Sequence, residues 1–281
     1  MNSRTDVYFL ALLAGAMSFS SWYNLSKPPL EKKVEEKTVQ VKTSEPEKKP
    51  ALSDIPDFAS ILDVKKKKAS FFGYMKIMVD EENDRLEQLR EQILQVQQVE
   101  DRSEQNNAWL LKTARSYRLK NLDKVDDRLF EALLNRVDQI PASLALVQAA
   151  NESAWGTSRF AREANNLYGQ WCFTQGCGVI PEGRPEGRTY EVRRFSSPEA
   201  SVRSYMFNLN TSHHYAALRE MRAGKRMMGE AVTGPMLAQG LYSYSIRGVA
   251  YVEELVAMIN GNNLLKYDLF EQESDYPATV Q

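Results

Sequence analysis

The distribution of apolar and polar positions divides the chain into stretches of different character. Asp6 to Leu25 reads DVYFLALLAGAMSFSSWYNL, with Arg4 before it and no charge between Asp6 and Lys27. An apolar run beside a charged tract with nothing to pack against reads as a membrane segment or signal peptide rather than a core helix. No A-x-A cleavage site follows it, so an uncleaved anchor over residues 1–26 is expected, with Arg4 on the cytoplasmic side. Residues 27–53 are rich in Lys, Glu and Pro and contain no aromatic side chain. Such a composition predicts a disordered tether that gives reach to whatever follows. From Asp54 onward the apolar spacing becomes helical. Phe71, Phe72, Tyr74, Met75, Ile77 and Met78, then Leu86, Leu89, Ile93, Leu94 and Val96, recur at intervals of three and four, as an amphipathic helix requires. Trp109, Leu110, Leu111 and Tyr117 mark a second helix, and Arg128 to Val137 a third. No alternating run interrupts them, so residues 54–138 form an all-α accessory region.

The next stretch differs in kind. Pro141 suits the first turn of a helix, and Ser143 to Ala150 are apolar or small around the whole circumference, which predicts a buried helix. Gly156 is a natural stop just beyond it, leaving Glu152 in the last turn. A carboxylate there meets the negative end of the helix dipole, a helix that faces the core, and Trp155 three residues on as a wall against water. All three raise its pKa, and a carboxyl kept protonated near neutral pH can hand a proton to a leaving sugar oxygen. The competing reading has Glu152 bridging Arg159 or Arg162.

The 281 residues suffice for two unequal parts, and 43% apolar residues can bury a core once past Leu52. A net charge of −1 gives no global attraction to a nucleic-acid backbone. Cys172 and Cys177 are the only cysteines, and His213 and His214 the only histidines. That set is too poor in ligands for a zinc enzyme, so neither metal nor other cofactor is expected.

The string AANESAWGTSRFAREANNLYGQW resembles the active-site helix and turn of the glucosaminidase family of peptidoglycan hydrolases, here Glu152, Ser153, Trp155 and Gly156, then Asn166, Leu167, Tyr168 and Gly169. IPDF near Ile55, FFGYM, TYEVRRFSS, NLNTSHHYAALR and YSIRGVAYV extend the resemblance to bacterial Bax-type glucosaminidase proteins across about Asp54 to Leu269. The resemblance implies a mostly helical, lysozyme-like fold with a small β-hairpin over residues 139–270, ahead of a flexible tail at 271–281. It implies cleavage of the glycosidic bond after N-acetylglucosamine, with Glu152 as general acid and peptidoglycan strands as partner. Tyr244 corresponds to a tyrosine that lines the family's catalytic centre, although the Asp-Pro that accompanies it elsewhere is missing and the spacing to Tyr251 is one residue longer. Some members carry a second Glu on the hairpin. Here that hairpin is expected over about Gly176 to Phe195, with Glu191 and Glu182 the leading choices and Glu186 below them; assistance by the substrate's acetamido group would make a second carboxylate dispensable.

Among the aromatics, Tyr168, Trp171 and Tyr244 are expected to wall a glycan groove, with Trp155, Asn166 and Tyr251 as further substrate contacts. Cys172 and Cys177, five positions apart, read as a disulfide ring in an oxidising compartment or as free thiols. A third reading makes Cys172 a nucleophile with His213 or His214 as base, acting on peptide stems. The Lys65 to Lys68 run reads as a solvated face rather than a lipid-binding patch. Ser197 followed by Pro198 predicts a capped helix whose Val202, Tyr205, Met206 and Leu209 pack inward. The expected location is outside the cytoplasm, anchored in the inner membrane or secreted. A non-catalytic glycan-binding scaffold, using the long first helix to hold partners, is the rival to an enzyme.

Overall fold

A computed structural model describes residues 55–268. The expected membrane segment, tether and tail lie outside these residues; among the described ones no helix is long and apolar enough to cross a membrane. Among the described residues nine α-helices run in chain order: α1 Val64–Gln97, α2 Glu104–Ser116, α3 Asp127–Arg136, α4 Ala142–Glu152, α5 Arg159–Ala164, α6 Pro198–Thr211, α7 Ala216–Met227, α8 Gly234–Ala238 and α9 Val249–Gly261. Between α5 and α6 lie three short strands, β1 Trp171–Cys172, β2 Gly178–Val179 and β3 Glu191–Arg193.

The first helix is the longest, about 50 Å end to end at 1.5 Å per residue. Asp63 caps it, its carboxylate accepting from Lys66 N at 2.7 Å. Its buried positions, from Phe71, Phe72 and Met75 to Ile93 and Val96, follow the spacing of three and four that the sequence predicts. They pack on α4, α6 and α3, and one hydrophobic core runs from Phe58 through α4 to Leu264. The region expected to be accessory is therefore continuous with the rest.

Helix α4 sits at the centre, with every residue from Ala142 to Ala150 buried, as its all-round apolar sequence demands. No side chain of Pro141 caps it. Instead Asp268 closes its start: Ser143 N and Ser143 Oγ donate to Asp268 at 2.8 and 2.5 Å, and Gly234 N at the start of α8 donates at 2.8 Å. One buried carboxylate thus satisfies amide donors at the beginnings of two helices.

The expected hairpin is a three-stranded sheet in the order β1-β3-β2, both pairs antiparallel. Trp171 pairs with Val192 and Cys172 with Glu191 on one edge of β3; Gly178 pairs with Arg193 and Val179 with Val192 on the other. Two-residue strands leave no alternation to read. The turn that sends the chain from one edge of β3 to the other is closed by a Cys172–Cys177 disulfide. Gly178 is required by close packing, because a Cβ there would lie 1.9 Å from the Val192 carbonyl oxygen.

Candidate active site

An open cleft of about 1140 Å³ runs along α6. Ala200, Arg203, Ser204, Phe207 and Asn208 line it, the positions i, i+3, i+4, i+7 and i+8 of one helical face. The opposite face, with Val202, Tyr205, Met206 and Leu209, is buried. Trp171 and Phe173 stand exposed on the sheet side, and Glu152, Tyr168, Gly169, Tyr215 and Tyr244 complete the lining with residues from the first helices and β3. Glu152 is the only carboxylate that lines the cleft among the described residues.

Glu152 ends α4. Ala154, Trp155 and Gly156 all follow at positive φ, 49°, 61° and 76°, so the chain turns left-handed two residues before the glycine that signals the stop. Ser153 holds this turn, donating from Oγ to Ala149 O at 2.6 Å and accepting from Gly156 N at 2.8 Å. The turn packs Trp155 edge-on against Phe71 and Phe72, under the Lys68 ammonium, and brings Gly156 against Phe58. Trp155 therefore anchors the end of α4 to α1 and does not line the cleft, contrary to its expected place as wall of Glu152 and substrate contact.

What surrounds the carboxyl is a set of tyrosines and a glycine. Tyr205 OH donates to Gln148 Oε1 at 2.6 Å, and Gln148 Nε2 donates to Tyr251 Oη at 2.9 Å. The Tyr251 hydroxyl proton is then directed to Glu152 Oε1, at 2.8 Å. The four residues of this chain are joined by three hydrogen bonds in a buried or partly buried setting, and the direction runs from Tyr205 outward to Glu152. Oε2 is the oxygen on which Glu152 can carry a proton with the Tyr251 bond intact. That oxygen faces Gly169, whose backbone at φ 63° leaves only 3.3 Å to where a Cβ would stand. Burial raises the Glu152 pKa above the ordinary carboxylate value, against the hydrogen bonds from Tyr251 and Asn151, which lower it. Neither Arg159 nor Arg162 bridges Glu152; Arg159 is paired with Glu163 and Glu182.

Tyr251 is buried, so its place is behind the acid rather than at the substrate surface. Tyr244 is at the cleft: its OH donates to Tyr168 O at 3.0 Å and its ring lies parallel to that of Tyr251, 5.6 Å away. Tyr168 stacks face to face on Tyr205 at 3.8 Å. Its hydroxyl oxygen is buried without a hydrogen-bond partner, as is Gln170 Oε1, and both residues line the cleft. Trp171, half-exposed, meets Tyr190 edge-on. Asn166 is buried away from solvent, its amide donating to Gln170 O and Arg193 O and its Oδ1 accepting from Gln170 N. It fastens the loop that carries Tyr168 and Gly169 to the sheet, a structural role in place of the expected substrate contact.

The candidates for a second carboxylate are dispersed. Glu191 is buried, and its two oxygens accept from Gly176 N at 2.9 Å and Gly178 N at 2.8 Å. Those amides hold its pKa below the ordinary value. It braces the disulfide turn and does not line the cleft, which corrects the expectation of a catalytic role. Glu182 is 89% exposed and lies 3.6 Å from Arg159, and Glu186 is exposed; neither lines the cleft. Cys172 and Cys177 are joined, so the reading of Cys172 as a nucleophile has lost its thiolate. The cysteine pair and Glu191 come close enough together to suggest ligands, but the sulfurs are used in the disulfide and the carboxylate by backbone amides. His213 and His214 lie exposed in a 3₁₀ turn after α6. Lys65 and Lys66 are exposed, in keeping with a solvated face.

The sequence reading missed Gln148, Tyr205 as a hydrogen-bond donor, and the part played by the first helices, which bring Arg85, Ser116, Tyr117 and Arg118 to the cleft. A polar Gln in the otherwise apolar or small stretch from Ser143 to Ala150 was the available signal.

Comparison with known proteins agrees with this arrangement. The Glucosaminidase family model, described as mannosyl-glycoprotein endo-beta-N-acetylglucosaminidase, matches residues 128–264, from α3 to the end of α9. The chain is 32% identical over 213 residues to "Protein bax" of Escherichia coli (strain K12), covering 76% of each chain. No solved structure matches. A buried small-residue helix ending in Glu152, the Asn166 to Gly169 turn beside it and these two matches together make the chain a Bax-type member of the glucosaminidase family.

Proposed function

We propose that the protein is an endo-β-N-acetylglucosaminidase acting on peptidoglycan, with Glu152 as the general acid. The observation that carries the reading is the hydrogen-bond chain from Tyr205 to Glu152 Oε1, which leaves Oε2 to hold a proton in a cleft open enough for a glycan strand. That proton passes to the bridging oxygen as the bond from C1 breaks, and a sugar leaves with a free hydroxyl. With Glu152 the one carboxylate in the lining among the described residues, the substrate's acetamido oxygen is the nucleophile that fits best. It closes on C1 as the bond breaks, and water then opens the ring, returning one proton to Glu152. The sum is one water consumed and one reducing N-acetylglucosamine end formed. Trp171 and Tyr244 supply ring faces or edges for the sugar, while Tyr168, buried and stacked on Tyr205, supports the cleft from beneath.

The disulfide supports a site of action outside the cytoplasm, where such bonds persist, in keeping with an inner-membrane anchor or secretion. Turbidity of purified sacculi, followed by mass spectrometry of the fragments, tests the reading. Wild type clears them and releases reducing N-acetylglucosamine ends, while Glu152→Gln does not and Glu182→Gln does. Reducing muramic ends would refute the bond assignment. Binding without clearance by wild type would favour a scaffold.

A further inference from the structure

The cleft is lined by five arginines, Arg85, Arg118, Arg193, Arg194 and Arg203, against one carboxyl, Glu152, which ends the row as an acid. The whole chain carries 36 basic and 37 acidic residues, so this is a local concentration and not a reflection of composition. The arginines come from separate segments: α1, the turn after α2, β3 with the residue beyond it, and α6. Folding brings them to one groove.

Their internal partners do not consume the charge. Glu82, buried at 5% exposure, accepts from Arg85 Nε and Nη2 at 2.9 and 2.6 Å and from Arg203 Nε at 3.1 Å, so one carboxylate serves two guanidiniums. Arg203 stays 65% exposed. Arg118, held at φ 59°, lies over the Phe207 ring at 4.9 Å, and Arg193 over Phe195 at 5.3 Å. Among the described residues neither Arg118 nor Arg193 has a carboxylate partner, and both are exposed. A guanidinium held over an aromatic ring is not neutralised by it, and its N–H groups can still bind a planar anion such as a carboxylate. A neutral polymer of N-acetylglucosamine would offer these groups only uncharged acceptors in exchange for their hydration, whereas a carboxylate returns a charge-assisted bond.

We infer that the cleft selects an anionic glycan, a strand whose sugars carry carboxylate-bearing substituents, and that Arg118, Arg193 and Arg203 are the specificity-determining contacts to those carboxylates. The inference rests on the glycan reading above and narrows it: chitin-like strands are poor ligands and peptide-bearing strands good ones. Arg85 and Glu82 hold Arg203 in place.

Binding and cleavage test it separately. The Glu152→Gln protein is titrated with native sacculi, with sacculi whose carboxylates have been amidated by carbodiimide coupling, and with chitin. Amidation weakens binding by about ten-fold or more, the worth of one lost charge-assisted hydrogen bond. Raising the salt does the same. Adding Arg118→Gln, Arg193→Gln and Arg203→Gln weakens binding to native sacculi to a similar degree, and amidation then costs little more, because both changes remove the same interaction. Lysines at the three positions restore part of the charge discrimination, which an unfolded variant would not. Equal binding to native and amidated sacculi overturns the inference, as does an arginine effect of the same size on both. Sacculi stripped of glycan-linked phosphodiester polymers that lose the discrimination would move the anion from carboxylate to phosphate and also overturn it. Displacement by an oligonucleotide at matched charge would make the groove a general polyanion site, with the same consequence. Release of reducing N-acetylglucosamine ends equally from native and amidated sacculi sinks this inference and leaves the proposed reaction standing. Charge-selective binding with no such ends from wild type does the reverse.

Discussion

At the scale of single residues the acid is defined by what holds its two oxygens. Tyr251 donates to Oε1 and so favours the anion, while burial opposes it and prevails. Tyr251→Phe removes the opposing bond, so the pKa of Glu152 rises further and the basic limb of the pH–rate profile moves to higher pH. The rate falls as well, because the carboxyl loses its orientation; a profile that stays in place would show that Tyr251 does not bear on the acid. On the proposed reaction a general acid contributes about 10² to 10⁴ in rate, so Glu152→Gln is expected to lose that much. Stability moves the other way. A carboxyl whose folded pKa lies above its unfolded one contributes most below the unfolded value, about 4.3 for Glu, and that contribution is lost as pH rises through the folded value. Glu152→Gln should therefore melt higher than wild type at neutral pH, and the gap should shrink as the pH falls to about 4. Calorimetry across that range measures both ends.

Among the elements, the sheet shows a carboxylate with the opposite sign. Glu191 is held as an anion by Gly176 N and then Gly178 N, so its contribution is present above the ordinary Glu pKa and disappears as pH falls through its lowered folded value. Glu191→Ala is expected to lower the melting temperature and the activity together, and to make the Cys172–Cys177 bridge easier to reduce, since the same turn carries both. Loss of activity at full stability would instead restore Glu191 as a reacting group. The element-level pattern was legible where helices were long. The spacing of Phe71 to Val96 marks α1 and the Ser197-Pro198 signal marks α6, since a four-turn period outweighs any one residue. It was not legible in the sheet, where strands of two or three residues are defined by partners on β3.

For the whole molecule, the join between the early helices and the rest is a buried ion cluster. Asp138, 1% exposed, meets Arg222 at 3.3 Å, Arg226 at 2.5 Å and Arg90 at 3.6 Å, which ties α7 and α1 to the approach to α4. Burial pushes Asp138 up, but the three guanidiniums together bring it below the ordinary range. Arg222, fully buried, has its pKa lowered by that burial to about 10 and stays charged, donating also to Asn135 O, Gln139 O and Asn210 Oδ1. Asp138→Ala leaves buried cations without their counter-ion and should cost about 3–5 kcal/mol, read from urea unfolding. The cluster explains why residues before 139 are more than an accessory: they share the core, and they line the cleft.

Sequence by itself established the helical character, the buried helix with an acid at its last turn, and the family, because each depends on local periodicity or on a contiguous string. It marked Tyr168, Trp171 and Tyr244 as cleft residues, and it put Glu152 in the last turn of α4, where it lines the cleft, although Trp155, expected as its wall, packs on α1 instead. Which residues enclose Oε1 and Oε2, why Glu191 is a brace, and how arginines from Arg85 to Arg203 reach one groove were decided by tertiary structure alone. Those relations join positions tens of residues to more than a hundred apart, and hydrogen-bond direction, burial and charge proximity exist only once the chain has closed on itself.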